Sequence, residues 1–592
     1  MSSIALRRAR RWKIPTFLAV FALAVGLSLT LTGAQNGAGA AQAATGSTSA
    51  TTAAAITPAL GCSSVAGSIN LLTLSGANTS IASAAPVAAA ANPVGAWAAC
   101  EVQGIIAPET HFTLYLPSST YAGYYLQEGC GGGCGNVNVN TPTASAGCVQ
   151  VTDGNFAVAA DDEGHEGAGF SVPAFQDPEL RAEFGYASEH QLALVSKAII
   201  KGYYGSAPTD SYYDGCSDGG REALIEAQRY PTDFNGIIAG SPASIQTELN
   251  AFEEAWNAQA NTDAAGNAIL TSADLTPLHN AVLAACGGTA VGYLADPLAC
   301  TWQPSSIACK SGQTSTAADY CLTAAQVQTV NKLYNGVRDA QGDLLYPGYE
   351  TCGSELNWAG WIVPGNGTAE TGAIDANIGT TAWQSWITPT GTFDGAASYM
   401  NVKFTKAEFE KITSANDGEL DGTDPNLGAF EKAGGKLILW AGYADPAINP
   451  VGTISYYQAV QKYMGGAAAT DRFARLFLLP GVAHCGGGQG PNSFDALTAV
   501  MNWVTKGEAP ASLLASSVSS TGAVTATLPI YPYPQIAVDT TGGSVTEASS
   551  YTPQVSTAEK NLNVSWLGSF RSGYETVSGW VDGQWVTRPG KS

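Results

Sequence analysis

Gly215, Cys216, Ser217, Asp218 and Gly219 form a Gly-x-Ser-x-Gly run. That pattern encodes a tight strand-to-helix turn that leaves a serine hydroxyl exposed, with glycines relieving the crowding. A hydroxyl becomes a useful nucleophile only when an imidazole within hydrogen-bond reach takes its proton. The chain has five histidines, at 111, 165, 190, 279 and 484, and only His279 and His484 follow the serine. His279 lies in a helical pattern around Leu275 to Val282. His484 follows an apolar strand pattern, Arg472 to Leu479, and stands in a glycine-rich loop, where a catalytic imidazole is expected. A third group must hold the imidazole tautomer and stabilise the imidazolium. Asp445 follows the apolar run Gly435 to Trp440 and is fixed by Pro446, whereas Asp417, Asp421 and Asp424 precede that run in a polar stretch. Ser217, Asp445 and His484 therefore occur in the chain order of an α/β-hydrolase triad, whose chemistry is acyl transfer through a covalent intermediate.

Two cysteines flank this machinery: Cys216 directly precedes the serine and Cys485 directly follows the histidine. If Ser217 and His484 meet, their neighbours come close by necessity, and a disulfide needs Cα atoms roughly 4.4–6.8 Å apart. One bridge would tie the elbow to the histidine loop. The chain has twelve cysteines, an even number that reads as disulfides in an exported protein. Cys62 with Cys100, Cys286 with Cys300 and Cys309 with Cys321 are the expected local bridges; Cys130, Cys134, Cys148 and Cys352 are left unassigned. Cys130 and Cys134 have no second His or Cys pair to complete a zinc site.

Acyl transfer also needs backbone N–H groups aimed at the developing oxyanion. One should belong to Asp218, the residue after the nucleophile. The other should come from the glycine-rich loop at 129–135, through Gly131 or Gly132, where bare backbone can approach a substrate.

The elements that must position these groups follow from local pattern. Arg7, Arg8, Arg10, Arg11 and Lys13, an apolar run from Pro15 to Leu31 and the small-residue box Ala41-Gln42-Ala43 read as a signal peptide over 1–43. The Ala/Thr/Ser-rich stretch 44–60 reads as a flexible leader. Strand patterns at Phe112–Pro117, Tyr124–Leu126, Phe156–Ala160, Ser211–Tyr213 and Gly236–Ala239 alternate with helical patterns at His190–Tyr204 and Arg221–Arg229. This alternation predicts a mostly parallel sheet wrapped by helices. It lapses over 248–425, read as an inserted lid domain between the nucleophile and the acid, and resumes over 426–545; the first part of the core is 61–247, and 546–592 is left as an unassigned tail. The formal net charge is −22, and removal of the five basic leader residues makes the mature chain more acidic still. An acidic protein disfavours nucleic acid and anionic lipid as partners. Secreted or periplasmic location follows from the leader, with no membrane attachment after its removal.

At this point the residues resemble the tannase and feruloyl esterase family of secreted α/β-hydrolases. The run Gly215 to Ala243, the segments Gly434 to Leu439 and Ala444 to Pro446, and Pro480 to Gly488 with Trp503 to Pro510 look like that family's serine, aspartate and histidine segments. The lid is similar through Cys321 to Val327 and Tyr346 to Tyr349. The resemblance implies Ser217, Asp445 and His484 as triad, with Cys216 and Cys485 bridged. It implies a small-molecule ester substrate of an aromatic acid, gallic or hydroxycinnamic, and no required cofactor. Trp358, Trp361, Trp383 and Trp386 in the lid would stack on a phenolic ring. A calcium loop common in the family's lid has lost most of its carboxylates here: between Cys286 and Pro297 only Asp296 remains, against the six to eight oxygens calcium takes. The family also includes a mono(2-hydroxyethyl) terephthalate hydrolase that anchors a substrate carboxylate with a lid arginine. Residues 340–430 contain no arginine, only Lys403, Lys406 and Lys411, so such a monoester is the alternative substrate. A non-catalytic binding protein on this scaffold would have lost a triad member, and none is lost.

Overall fold

The computed structural model describes residues 54–71, 74, 77–167, 173–365, 372–387, 397–413, 419–560 and 562, with 578–581 and 584–587. The expected signal peptide and Asp417 lie outside the described residues.

Short apolar runs that are hydrophobic on both faces form strands only where helices cover both sides of a sheet. Tyr124–Glu128, Phe156–Asp161, Gly236–Gly240 and Lys436–Gly442 are such runs, and almost all of their residues are buried. They belong to one nine-stranded sheet of order β1-β2-β3-β5-β4-β6-β7-β8-β9. Its strands are β1 Thr79–Val87, β2 Ala99–Ile106, β3 Thr110–Pro117, β4 Tyr124–Glu128, β5 Phe156–Asp161, β6 Asp210–Cys216, β7 Gly236–Gly240, β8 Lys436–Gly442 and β9 Ala474–Leu479. β1, β2 and β3 pair antiparallel, and β4 through β9 run parallel. The helices α1 Ser188–Tyr204, α2 Asp218–Arg229, α3 Pro450–Tyr463 and α4 Ala496–Lys506 connect or flank the parallel strands. This is the α/β-hydrolase fold, with β6 leading into the elbow and β8 and β9 leading to Asp445 and His484.

Between β7 and β8 the chain makes an excursion of mainly helical segments, among them Glu254–Ala260, Ser272–Cys286, Ala324–Asn335 and Ile374–Ala382. Leu270, Leu275, Leu278, Leu322, Val330, Leu333 and Trp358 give part of it a hydrophobic cluster of its own. After α4, β10 Leu513–Val518 pairs with β11 Val524–Ile530, and β12 Gln535–Asp539 pairs with β13 Tyr551–Val555. The stretch left unassigned from sequence thus supplies β13. It also supplies buried Glu559, which bonds the Tyr443 hydroxyl beside the acid loop. At the other end, composition predicts a flexible segment up to residue 60. The end of that segment is instead pinned to the core: Ile56 N–H donates to the Tyr121 carbonyl and Ala59 N–H to the Tyr203 carbonyl, both at 2.7 Å.

Ten of the twelve cysteines make five bridges: Cys62–Cys100, Cys130–Cys134, Cys216–Cys485, Cys286–Cys300 and Cys309–Cys321. Cys148 and Cys352 are thiols, and burial pushes them up to about 11 and about 12. The Cys130–Cys134 pairing was not assigned from sequence, because spacing alone does not say which of four cysteines meet.

The sheet's carboxyl edge near the elbow rests on buried acids. Asp161 is pushed up to about 7 by burial and by Asp162. Burial likewise pushes Glu183 and Asp214 up to about 7 and Glu222 up to about 8. Arg221, wholly buried, supplies positive charge among them: Nε donates to Asp218 at 2.6 Å and Nη2 to Glu163 at 3.1 Å. Because these folded pKa values are raised, the folded chain keeps protons that the unfolded chain releases above about pH 4–5. The associated stability is present at low pH and lost as pH rises through about 7–8. The melting temperature is therefore expected to fall between about pH 5 and pH 8.5 by scanning calorimetry. A melting temperature that climbs over that window contradicts the assignment.

The elbow itself needs bare backbone. A Cβ on Gly215 would overlap the Gly219 carbonyl, and one on Gly220 would overlap the Gly240 carbonyl. Gly220→Ala is expected to cost about 1–3 kcal/mol, the usual range for overpacking, read from urea unfolding. An unchanged midpoint would mean that the helix does not press on β7 at this point.

Candidate active site

β6 ends at Cys216 and α2 starts at Asp218, leaving Ser217 alone in the turn. Its backbone takes φ 67° and ψ −120°, a conformation an L-residue adopts only when its surroundings impose it. The surroundings do so through four backbone bonds. Ser217 N–H donates to the Gly240 carbonyl at 3.0 Å, and the Ser217 carbonyl accepts from Gly220 and Arg221 at 3.1 Å and from Ala243 at 3.0 Å.

His484 Nε2 lies 2.9 Å from Ser217 Oγ. His484 Nδ1 lies 3.0 Å and 3.1 Å from the two carboxylate oxygens of Asp445. Nδ1–H therefore donates to Asp445, which leaves Nε2 to accept from the serine hydroxyl. Asp445 is fully buried, and its Oδ1 also accepts from the N–H groups of Ala447 and Ile448 at 2.9 Å and 3.0 Å. These bonds fix its orientation. Ala444 N–H donates to the Val482 carbonyl at 2.9 Å, so the acid and histidine loops support each other. The Cys216–Cys485 bridge, with Cα atoms 5.8 Å apart, joins the elbow to the histidine loop.

The other candidates fall elsewhere. His279 is buried against Glu355, with Nδ1 and Oε2 2.7 Å apart, and His111 and His190 pair with Asp162 and Asp233. His165 is buried beside Phe175 and Phe184. Asp421 accepts from Thr247 N–H and Asp424 from Asn426 N–H. Of the four insert tryptophans, Trp361 meets the triad: its ring lies edge-on to His484 with centroids 5.3 Å apart. Trp358 is wholly buried and donates to Glu350 and Ser354 at 2.9 Å, while Trp383 and Trp386 pack in the interior. Packing, which spacing does not reveal, commits those three to the core.

The Asp218 N–H belongs to the first turn of α2, where helix geometry leaves N–H groups without an intrahelical acceptor. The glycine loop lies against this turn: Gly219 N–H donates to the Cys130 carbonyl at 2.8 Å. A Cβ on Gly131 or Gly132 would meet nothing within 4 Å, so both glycines front open space.

Three residues unread in the sequence hold the insert to the site. Thr351 Oγ1 donates to the Tyr443 carbonyl, Asn357 Nδ2 donates to the Ala444 carbonyl at 2.9 Å, and Gln489 Nε2 donates to Asn357 Oδ1 at 3.3 Å. They are ordinary polar residues in irregular stretches, so no periodicity marks them.

Two groupings bear on metals. Cys130, Cys134, Glu163, Asp218 and Glu222 bring donor atoms within 4.8 Å of one another. The two sulfurs are joined in a bridge, and Arg221 sits on Asp218 and Glu163. Asp296, the carboxylate remaining in the stretch that resembles a calcium loop, accepts from Ser556 Oγ at 2.7 Å. One carboxylate turned to the C-terminal segment does not fit a calcium ion.

The model of the family described as tannase and feruloyl esterase matches residues 93–553. A mono(2-hydroxyethyl) terephthalate hydrolase of Piscinibacter sakaiensis is 32% identical over 509 residues, covering 74% of this chain and 82% of that protein. A probable feruloyl esterase of Arthroderma benhamiae is 32% identical over 369 residues, covering 59% of this chain and 64% of that protein. The crystal structure of feruloyl esterase B from Aspergillus oryzae superposes with a TM-score of 0.71 at 24% identity, over 83% of this chain and 99% of that one. With its elbow, acid loop and histidine loop inside the matched span, this chain belongs to the tannase and feruloyl esterase family.

Proposed function

We propose that the protein is an exported serine hydrolase of carboxylic esters, acting on esters of aromatic acids through an acyl-enzyme. The observation that carries the proposal is the continuous chain from Ser217 Oγ through His484 to buried Asp445, with contacts of 2.9 Å and 3.0 Å. Family membership supports the reaction class. The leader pattern and five disulfides support export.

In this reading Ser217 Oγ attacks the ester carbonyl while Nε2 takes its proton. The negative charge that develops on the carbonyl oxygen is met by the Asp218 N–H and by an N–H of the glycine loop, Gly131 or Gly132. His484 then hands the proton to the departing alcohol. Water attacks the acyl-enzyme by the reverse route and releases the acid. Asp445 holds the imidazole and stabilises its charged form without itself taking the proton. Trp361, whose ring meets that of His484, is the insert residue placed to contact a ring in the acyl group.

A charged terephthalate monoester is the second reading, and the 32% identity to a mono(2-hydroxyethyl) terephthalate hydrolase favours it. Against it, the described cations of residues 340–430 lie on exposed surface, with Lys406 bonded to Asp343 at 2.6 Å and Lys411 near Glu408 at 3.5 Å.

Acid release from methyl ferulate, methyl gallate and mono(2-hydroxyethyl) terephthalate by the mature protein tests both readings. Release from a neutral aromatic ester is expected to exceed release from the charged monoester; the reverse order selects the second reading. Ser217→Ala is expected to abolish turnover, and retained hydrolysis would exclude the serine mechanism. Asp445→Asn is expected to lower kcat by about 10⁴ with the fold intact, because the wrong imidazole tautomer is then favoured. A loss below tenfold would show that another group orients His484.

A further inference from the structure

The glycine loop after β4 carries a bridge that the triad does not explain. Cys130 and Cys134 are joined across Gly131, Gly132 and Gly133, so the loop tip is a small covalent ring. The base of this ring is fixed to the elbow. The Cys130 carbonyl accepts from Gly219 N–H at 2.8 Å, and Cys130 N–H donates to Glu222 Oε2 at 3.2 Å. Glu222 also accepts from the Tyr213 hydroxyl at 2.5 Å, and its Oε1 lies 2.9 Å from Cys130 Sγ and 3.6 Å from Cys134 Sγ. Gly129 presses so closely on the elbow that a Cβ there would sit 2.5 Å from Gly219 Cα. The far end is fixed as well: Cys134 N–H donates to the Gly131 carbonyl at 3.2 Å, and Gly135 N–H to the Asp162 carbonyl at 3.1 Å. Within the ring, Gly132 stands at φ 68° and Cys134 at φ 54°.

These facts set two requirements against each other. An amide that stabilises a developing oxyanion must be fixed before the charge appears. Three successive glycines are the least fixed segment a chain can offer. Larger residues would stiffen the loop but fill the space in front of Gly131 and Gly132. A bridge at the two ends stiffens it and adds nothing at the tip.

We infer that the Cys130–Cys134 disulfide is a positioning device for the oxyanion hole: it holds the Gly131 and Gly132 amides in place against the Ser217 elbow. This rests on the serine-esterase reading above.

The test is the double variant Cys130→Ser with Cys134→Ser, assayed on the best ester beside wild type and Ser217→Ala. The expected result is a kcat lowered about 10–100-fold, somewhat less than the 10²–10³ lost when an oxyanion donor is removed outright. KM should stay within about threefold, since the hole acts on the transition state rather than the bound ester. Affinity for an arylboronic acid, which forms a tetrahedral adduct with the serine, should fall in step with kcat. A purely structural bridge would lower the melting temperature and leave kcat and boronate affinity unchanged; that result overturns the inference. If wild type hydrolyses no ester and does not bind the boronic acid, the serine-esterase reading itself fails. That outcome is separate, because it needs no variant.

Should the double variant not fold, the folded wild-type enzyme is opened instead. A water-soluble phosphine reduces the bridge to two thiols and is itself oxidised to the phosphine oxide with oxygen from water. Iodoacetamide then blocks the thiols, and peptide mapping shows which bridges opened. In samples with Cys216–Cys485 still joined, a kcat that falls with alkylation of Cys130 and Cys134 agrees with the inference. Full kcat in those samples overturns it.

Discussion

Everything at the candidate site depends on holding His484 Nε2 at 2.9 Å from a serine oxygen that lies 267 residues away in the chain. The two groups stand on separate loops, and a misplacement of about 1 Å can cost 100-fold in rate. The Cys216–Cys485 bridge is immediately beside both residues, so it constrains the distance that matters rather than the fold at large. By chain-entropy arithmetic, closing a loop with a sequence separation of 269 stabilises the fold by about 5–6 kcal/mol. Ser217 at φ 67° and Cys485 at φ 57° are both in the left-handed region, so each end of the link is a sharp turn held by its surroundings.

The remaining structure supports that link in layers. β6, β7 and β8 place the elbow and the acid loop at one sheet edge, and the glycine contacts at 215, 219 and 220 bring α2 close to the strands. The buried acids and Arg221 fill the space beneath. The insert is bonded to the acid loop through Thr351 and Asn357, and the C-terminal segment reaches the same loop through Glu559 and Tyr443. Asp445 is thus held from three directions. The loop that carries it accordingly depends on residues drawn from the sheet, the insert and the C-terminal segment.

The parts legible in the sequence are those dictated by local chemistry. The elbow must have glycines where side chains would overlap carbonyls, and a catalytic histidine must stand in a loop after a strand. Both constraints leave marks at fixed positions. The parallel strands were legible because continuous apolar runs such as Gly236-Ile237-Ile238-Ala239 have few other uses. The rest depended on contacts between distant segments. Trp358 and Trp361 look alike in sequence, yet one bonds Glu350 in the interior and the other packs on His484. The partner of Cys130 was not legible because the loop's turn, with Cys134 at φ 54°, is set by tertiary contacts. The C-terminal segment read as featureless because β13 is an exposed edge strand whose alternation is weak.

We assign Ser217 as the nucleophile of a triad already assembled before substrate arrives. The most direct measurement is stoichiometric labelling with a fluorophosphonate, followed by peptide mapping and assay of residual esterase activity. One adduct per chain is expected, on the peptide containing Ser217, with activity lost in proportion to labelling. An adduct on another residue, or hydrolysis that persists in fully labelled protein, would contradict it.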